Sequence, residues 1–171
     1  MSREVRIVPP DWQHPKDGKG RFVPLLSGSF EHDDAEYTAE RAAWEFGFRR
    51  GYGEDQWVPR EPSDGNLCNV YYGRRPDEDD YMPEFPEDTA THYMMYETCS
   101  EGTPISPAFD TPEALARWLA DTGASAFADL TASYEGWLIV CRGEPGIGLV
   151  SMGGKMMSGV EAQKLAREGK P

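Results

Sequence analysis

Which chemistry this 171-residue chain can carry depends first on the spacing of its histidines, thiols, hydroxyls and carboxylates. His14, His32 and His92 lie far apart, with neither a second histidine four residues on nor a CxxC pair to complete a metal-ligand set. His32-Asp33-Asp34 is the sole local histidine–carboxylate cluster, and acids there already suit the start of a helix, whose N-terminal dipole favours them. No metal and no cofactor are expected. Cys99 or Ser100 with His92 and Glu97 would supply the nucleophile, base and orienting acid of acyl transfer. Along an extended strand, however, His92 and Ser100 stand roughly 26 Å apart. No GxSxG elbow, Walker loop or helix-opening GxGxxG occurs, and Gly153-Gly154 reads as a hairpin turn. The 30 Asp and Glu leave general acid–base chemistry open without singling out a pair.

The strongest local feature is the run from Arg74 to Asp88, where seven acids (Asp77, Glu78, Asp79, Asp80, Glu84, Glu87 and Asp88) interleave with Tyr81, Met82 and Phe85. One reading is a solvated loop that keeps the protein soluble. The sharper one is a docking surface for a basic groove, in which fixed carboxylates on an apolar base imitate phosphates and engage Lys and Arg. The charge pattern fits: the chain carries −13 in all, and residues 54–101 alone carry a net −10. Direct binding to nucleic acid or to an anionic membrane is therefore disfavoured, and a basic protein partner is favoured. Of the five tryptophans, Trp44, Trp118 and Trp137 fall on helix faces and read as core, whereas Trp12 and Trp57 lie in loops and are candidate interface anchors.

The elements that must position these residues predict an α+β fold: a small, mostly antiparallel sheet with about three helices packed on one face. Strands are expected near 3–8, 92–99, 147–152 and 155–158, the last two as a Gly-Gly hairpin, with a further strand at 21–26. A first helix is predicted over 33–50, its acids leading and Arg49 and Arg50 closing it, with Phe48 on its apolar face. A second opens on Thr111 as N-cap with Pro112 at its first position and ends at Gly123; a third is predicted over 130–141, and a short one over 160–168. Thr103 to Pro107 is expected to be irregular. Residues 1–171 read as one domain, with a long acidic irregular segment at 51–91. No apolar run reaches the roughly 20 residues of a membrane span, and the N-terminus lacks a secretory signal. Cys68, Cys99 and Cys141, an odd number without close spacing, suit reduced thiols in a cytoplasm.

Ser100-Glu101-Gly102-Thr103-Pro104-Ile105-Ser106-Pro107-Ala108-Phe109, continuing through Thr111-Pro112-Glu113 and Leu115 to Leu119 as far as Phe127, resembles a family of small uncharacterised proteins of bacteriophages, prophages and other bacterial mobile elements. Trp12-Gln13-His14-Pro15, Tyr81-Met82-Pro83 and Ser158-Gly159-Val160-Glu161 are similar too. The resemblance implies a phage-type accessory protein in a bacterial cytoplasm, and brings no reaction or catalytic residue. Together these readings point to a non-enzymatic protein that binds a host or phage protein, a nucleic-acid-binding defence complex being the candidate target. The expected contact residues are Asp77, Glu78, Asp79, Asp80, Tyr81, Glu84, Glu87, Asp88 and Trp57. The alternatives are a small-molecule or nucleotide-directed enzyme using scattered carboxylates such as Asp77 or Glu97, and a structural or assembly protein of a phage.

Overall fold

The computed structural model describes residues 2–51, 56–65, 73–98, 102–144, 146–147, 149–152 and 155–168. In chain order the elements are β1 (Ser2–Val8), α1 (Phe30–Glu45), β2 (Phe48–Arg50), β3 (Trp57–Pro59), 3-10 turns at Pro62–Asp64 and Glu78–Asp80, β4 (His92–Glu97), β5 (Thr103–Pro104), α2 (Pro112–Asp121), α3 (Tyr134–Cys141), β6 (Gly146–Ile147), β7 (Leu149–Met152), β8 (Lys155–Ser158) and α4 (Gly159–Arg167). They fall into two compact units, Met1–Leu25 with Pro83–Pro171, and Leu26–Met82. The fold is α+β, and every strand pair among the described residues is antiparallel.

In the first unit four strands run in the order β5-β4-β1-β6. Val5 faces Met95 and Ile7 faces Tyr93 across the β1–β4 ladder. Because successive side chains of a strand alternate, Val5, Tyr93 and Met95 point to one side, and Arg6, Val8, Met94 and Tyr96 to the other. On the first side Met95 packs with Leu115, Ala116 and Leu119 of α2, Trp137, Val140 and Cys141 of α3, and Val160 of α4. Three helices thus share one face of the sheet, as the pattern predicts. Cys141 is a free, buried thiol, pushed up to about 12 by burial and so kept protonated; Cys68 and Cys99 lie outside the described residues.

The helix ends follow from local chemistry. The Thr111 hydroxyl accepts the Ala114 N–H at 3.2 Å, Pro112 occupies the first position, and Gly123 stops α2 at φ +66°. α3 starts at Tyr134, later than its apolar pattern, because residues 126–130 close a tight turn in which Leu130 donates to Phe127 O at 2.9 Å and Ala126 to Leu130 O at 2.7 Å. Ser133 caps α3, and its backbone N–H and its hydroxyl both donate to Glu161 of α4 at 2.9 Å. Gly136 allows that approach, since a Cβ there would stand 2.9 Å from the Glu161 carboxylate and 3.3 Å from Val160 O.

Several expectations change. α1 ends at Glu45, because Gly47 takes φ +86°, so Phe48, Arg49 and Arg50 leave the helix and form β2. Residues 21–26 form no strand and make only isolated bridges, one of them between Lys16 and Phe22. Thr103 and Pro104, expected irregular, form the edge strand β5; an edge tolerates a residue that lacks an N–H. The hairpin keeps its register, Leu149 opposite Ser158 and Met152 opposite Lys155, but stands as a two-stranded sheet of its own rather than extending the main sheet, which gains β6 instead; its Gly153-Gly154 turn lies outside the described residues.

The other side of the sheet is covered by the segment from Pro9 to Leu25. Arg6 lays its guanidinium 4.3 Å from the Tyr96 ring centre and donates to Leu25 O at 2.9 Å, while Leu25 N–H donates to Gly102 O at 3.1 Å. Gly102, at φ +57°, could not carry a Cβ without bringing it within 2.2 Å of Leu25 O. Among the described residues no helix is long and apolar enough to cross a membrane.

Trp137 is wholly buried and Trp118 only partly so. Trp137→Ala should lower the unfolding free energy by about 3–5 kcal/mol in urea denaturation. Gly102→Ala should cost about 2–4 kcal/mol through combined backbone strain and overlap, and stability equal to wild type would show that the Leu25 segment is not held against Gly102.

Candidate functional site

In the second unit α1 is the spine. Ser29 caps it by accepting the His32 N–H at 3.3 Å, and Glu31 and Asp33 fill its first turn. Two contacts tie the acidic segment to that turn. Arg75 clasps Asp34 through both carboxylate oxygens, at 2.7 and 3.0 Å, holding that carboxyl below its usual range. Tyr81 is buried, its ring 5.8 Å from Phe30, and its hydroxyl donates to Asp33 at 2.8 Å. The 3-10 turn between them is capped by Asp77, which accepts the Asp79 N–H at 3.3 Å. Arg74 pairs with Asp80. Asp77, Glu78 and Asp79 are exposed and meet no Lys or Arg among the described residues.

The far end of α1 carries aromatic surface. Trp44 is buried beneath the Arg60 guanidinium, 3.8 Å from its ring centre, and the glycine turn then leaves Phe46 83% exposed. β2 and β3 pair with Phe48 opposite Pro59 and Arg50 opposite Trp57, so these four side chains share one face of the ribbon. Phe48 is 43% and Trp57 44% exposed, with Arg50 5.8 Å from the Trp57 ring centre. The same Arg50 bridges Glu36 at 2.6 Å and Glu40 at 3.0 Å and so fastens the ribbon to α1. On the opposite face Arg49 reaches Asp64 at 2.8 Å; the Glu61 N–H first, and Arg49 with it, hold the Asp64 carboxyl low.

The residues singled out from sequence therefore divide. Trp57 and Asp77 to Tyr81 belong to the second unit, whereas Glu84, Glu87 and Asp88 are exposed residues of the first, around Phe85, whose ring packs edge-on against Trp12 at 5.0 Å. Tyr81 supports the acidic turn from beneath. Phe46 and Phe48 were missed, and the signal that could have found them is Gly47, a helix stop set between two phenylalanines. His32, Asp33 and Glu36 bring potential ligand atoms within 4.8 Å of one another. Asp33 already accepts from Tyr81 and Glu36 from Arg50, so a cation there would compete with bonds that hold the unit together. No family model, curated protein or solved structure matches the chain.

The Tyr81 phenol is pushed up to about 12, by burial first and then by its bond to Asp33. Its folded pKa lies above the unfolded value of about 10, so its contribution is complete below pH 10 and is lost as pH rises toward 12. Tyr81→Phe should cost about 1.5–3 kcal/mol at neutral pH and flatten the alkaline fall in denaturant stability relative to wild type. An unaltered alkaline profile would show that this hydroxyl is not what anchors the turn.

Proposed function

We propose that the protein works by binding a basic partner protein, with Phe46, Phe48 and Trp57 as anchors and the Asp77–Asp80 turn as the charged rim. The observation that carries this reading is the exposure of three large aromatics at one end of α1, in a unit whose acids outnumber Lys and Arg by 14 to six. Binding energy concentrates in buried aromatic anchors, while surrounding charge steers encounter and selects the partner. From Asp34 to Trp44 the helix rises roughly 15 Å, so anchors and rim fit within one interface patch of about 800 Å². The arginines of this unit support the assignment of roles. Arg49, Arg50 and Arg75 neutralise internal carboxylates and Arg60 covers Trp44, so the surplus acids set the outward field.

A Lys- and Arg-rich surface is the complement of such a field, and proteins that hold nucleic acid present one. The resemblance to accessory proteins of mobile elements makes a host nucleic-acid-binding defence complex the candidate partner in a bacterial cytoplasm. The exposed Glu84, Glu87 and Asp88 add to the long-range attraction.

Tagged protein should retain a basic complex from bacterial lysate at low salt and release it at high salt. Trp57→Ala should weaken capture of that complex roughly thirtyfold, as a hot-spot aromatic does. Joint replacement of Asp77, Asp79 and Asp80 by Asn and Glu78 by Gln should weaken capture mainly at low salt and reduce its salt dependence, with the melting temperature nearly unchanged. Capture indifferent to both changes would reject the docking role.

A further inference from the structure

The first unit holds a cavity of about 520 Å³ where the segment from Pro10 to Phe22 passes over Met94 and the stretch from Pro104 to Ala108. That volume lies within the roughly 300–1,000 Å³ of small-molecule sites, which typically pair apolar walls with a few fixed polar groups. Its walls are mainly aromatic rings, prolines and aliphatic side chains with the Gln13 amide, and among the described residues lining it Lys16 is the sole one with a charged side chain when His14 is neutral. The rings are held in advance. Trp12 donates its indole N–H to the Tyr96 hydroxyl at 3.2 Å and has Phe85 edge-on behind it. Phe22 stands edge-on to His14 at 5.5 Å.

The polar side chains of His14 and Ser106 are committed to the scaffold. His14, 6% exposed, places Nε2 2.6 Å from Val23 O and Nδ1 3.1 Å from the Tyr96 hydroxyl. A carbonyl can only accept, so Nε2 carries the proton and, in the neutral ring, Nδ1 accepts from Tyr96. Burial lowers the His14 pKa, with the Arg6 charge adding to the effect and the Val23 bond opposing it. The Ser106 hydroxyl accepts the Met95 N–H at 2.9 Å and donates to Pro107 O at 2.8 Å. What the cavity offers a guest is mainly ring and proline surface, with the Gln13 amide and one ammonium. The Lys16 Nζ sits 4.8 Å from the Phe22 ring centre and has no carboxylate partner among the described residues.

We propose that this cavity binds a small planar aromatic anion, its ring against Trp12 and Phe22 and its negative group paired with Lys16. In a chain of net charge −13 an anion is repelled at long range, so its selection depends on that one local cation, held beside the Phe22 ring at the cavity mouth. An aromatic carboxylate and the base and phosphate of a nucleotide share this chemistry. The site lies wholly in the first unit, so its failure and that of the docking role are separable.

The test is a titration of the ¹⁵N-labelled full chain with 1-naphthoate, 1-naphthylmethanol, 1-naphthylmethylammonium and AMP, following the indole N–H assigned by its loss in Trp12→Phe. Naphthoate should bind saturably, shift the Trp12 indole and the Ile105 amide, and bind at least tenfold more tightly than the ammonium. Lys16→Glu, on an exposed side chain, should reverse that order without altering the melting temperature, and Phe22→Ala should weaken every naphthyl probe. AMP displacing naphthoate would assign the site to nucleotides, and naphthoate binding without AMP would assign it to aromatic carboxylates; either outcome supports the site. Absence of saturable binding by both anions, or binding indifferent to probe charge and to Lys16→Glu, would overturn it.

Discussion

The antiparallel ladder between β1 and β4 is the constraint on which the first unit depends, because its two-residue period sorts every side chain of both strands to one of two unlike environments. Val5 and Met95 go to the three helices; Arg6, Met94 and Tyr96 go beneath the segment that follows β1. A slip of one residue would send Arg6 into the apolar core and Met95 beneath the loop. Arg3, three residues from Arg6, falls on the helix side, where it donates to Ser125 O at 2.9 Å and lies 3.8 Å from Glu97. Two buried arginines on opposite faces of one strand thus pin register from both sides. Unpairing either would leave a desolvated charge without its partners.

The same residue type organises the second unit differently. There the arginines are outnumbered, and several of them span elements that apolar packing alone would hold weakly: Arg50 joins ribbon to helix, Arg75 joins the acidic segment to the first helical turn, and Arg60 lies over Trp44. With few cations, and most of those that join elements paired within the unit, the fold of the unit and its outward field have one origin. Phe46, 83% exposed, buries little of its ring in this arrangement, and Phe48 and Trp57 each leave over two fifths of theirs to solvent. Exposed aromatics of that size at one end of a helix are surface a monomer gains little by keeping.

Much of the first unit was legible because its signals are local. Thr111-Pro112 opens a helix by a hydroxyl cap and a preset φ, Gly123 closes it, and the alternation in His92 to Glu97 marks a strand with two covered faces. The hairpin register followed from a two-residue turn between β-favouring runs. What escaped was competition between signals. A helical period runs from Tyr37 through Trp44 to Phe48, and only the backbone freedom of Gly47 decides that the last of these belongs to a strand. The acidic run was legible as charge, but not as a turn fastened by Tyr81 and Arg75 to residues more than 40 positions earlier.

The cavity was illegible for a related reason. Motif reading looks for nucleophile, base and acid at fixed spacing, and His14 and Ser106 satisfy no such pattern, being separated by most of the chain. The ladder brings them to one cavity nonetheless, because His14 lies on the segment leaving β1 and Ser106 on the segment leaving β5, two strands away in the same sheet. Their hydrogen bonds then decide what they do. A serine hydroxyl donating to the next carbonyl and an imidazole shared between a carbonyl and a phenol fix backbone and ring orientation. Preorganised walls of this kind lower the cost of ordering a bound guest, so affinity rests on ring area and on Lys16. The residue types alone suggest catalysis; the directions of their bonds assign them to holding the cavity open.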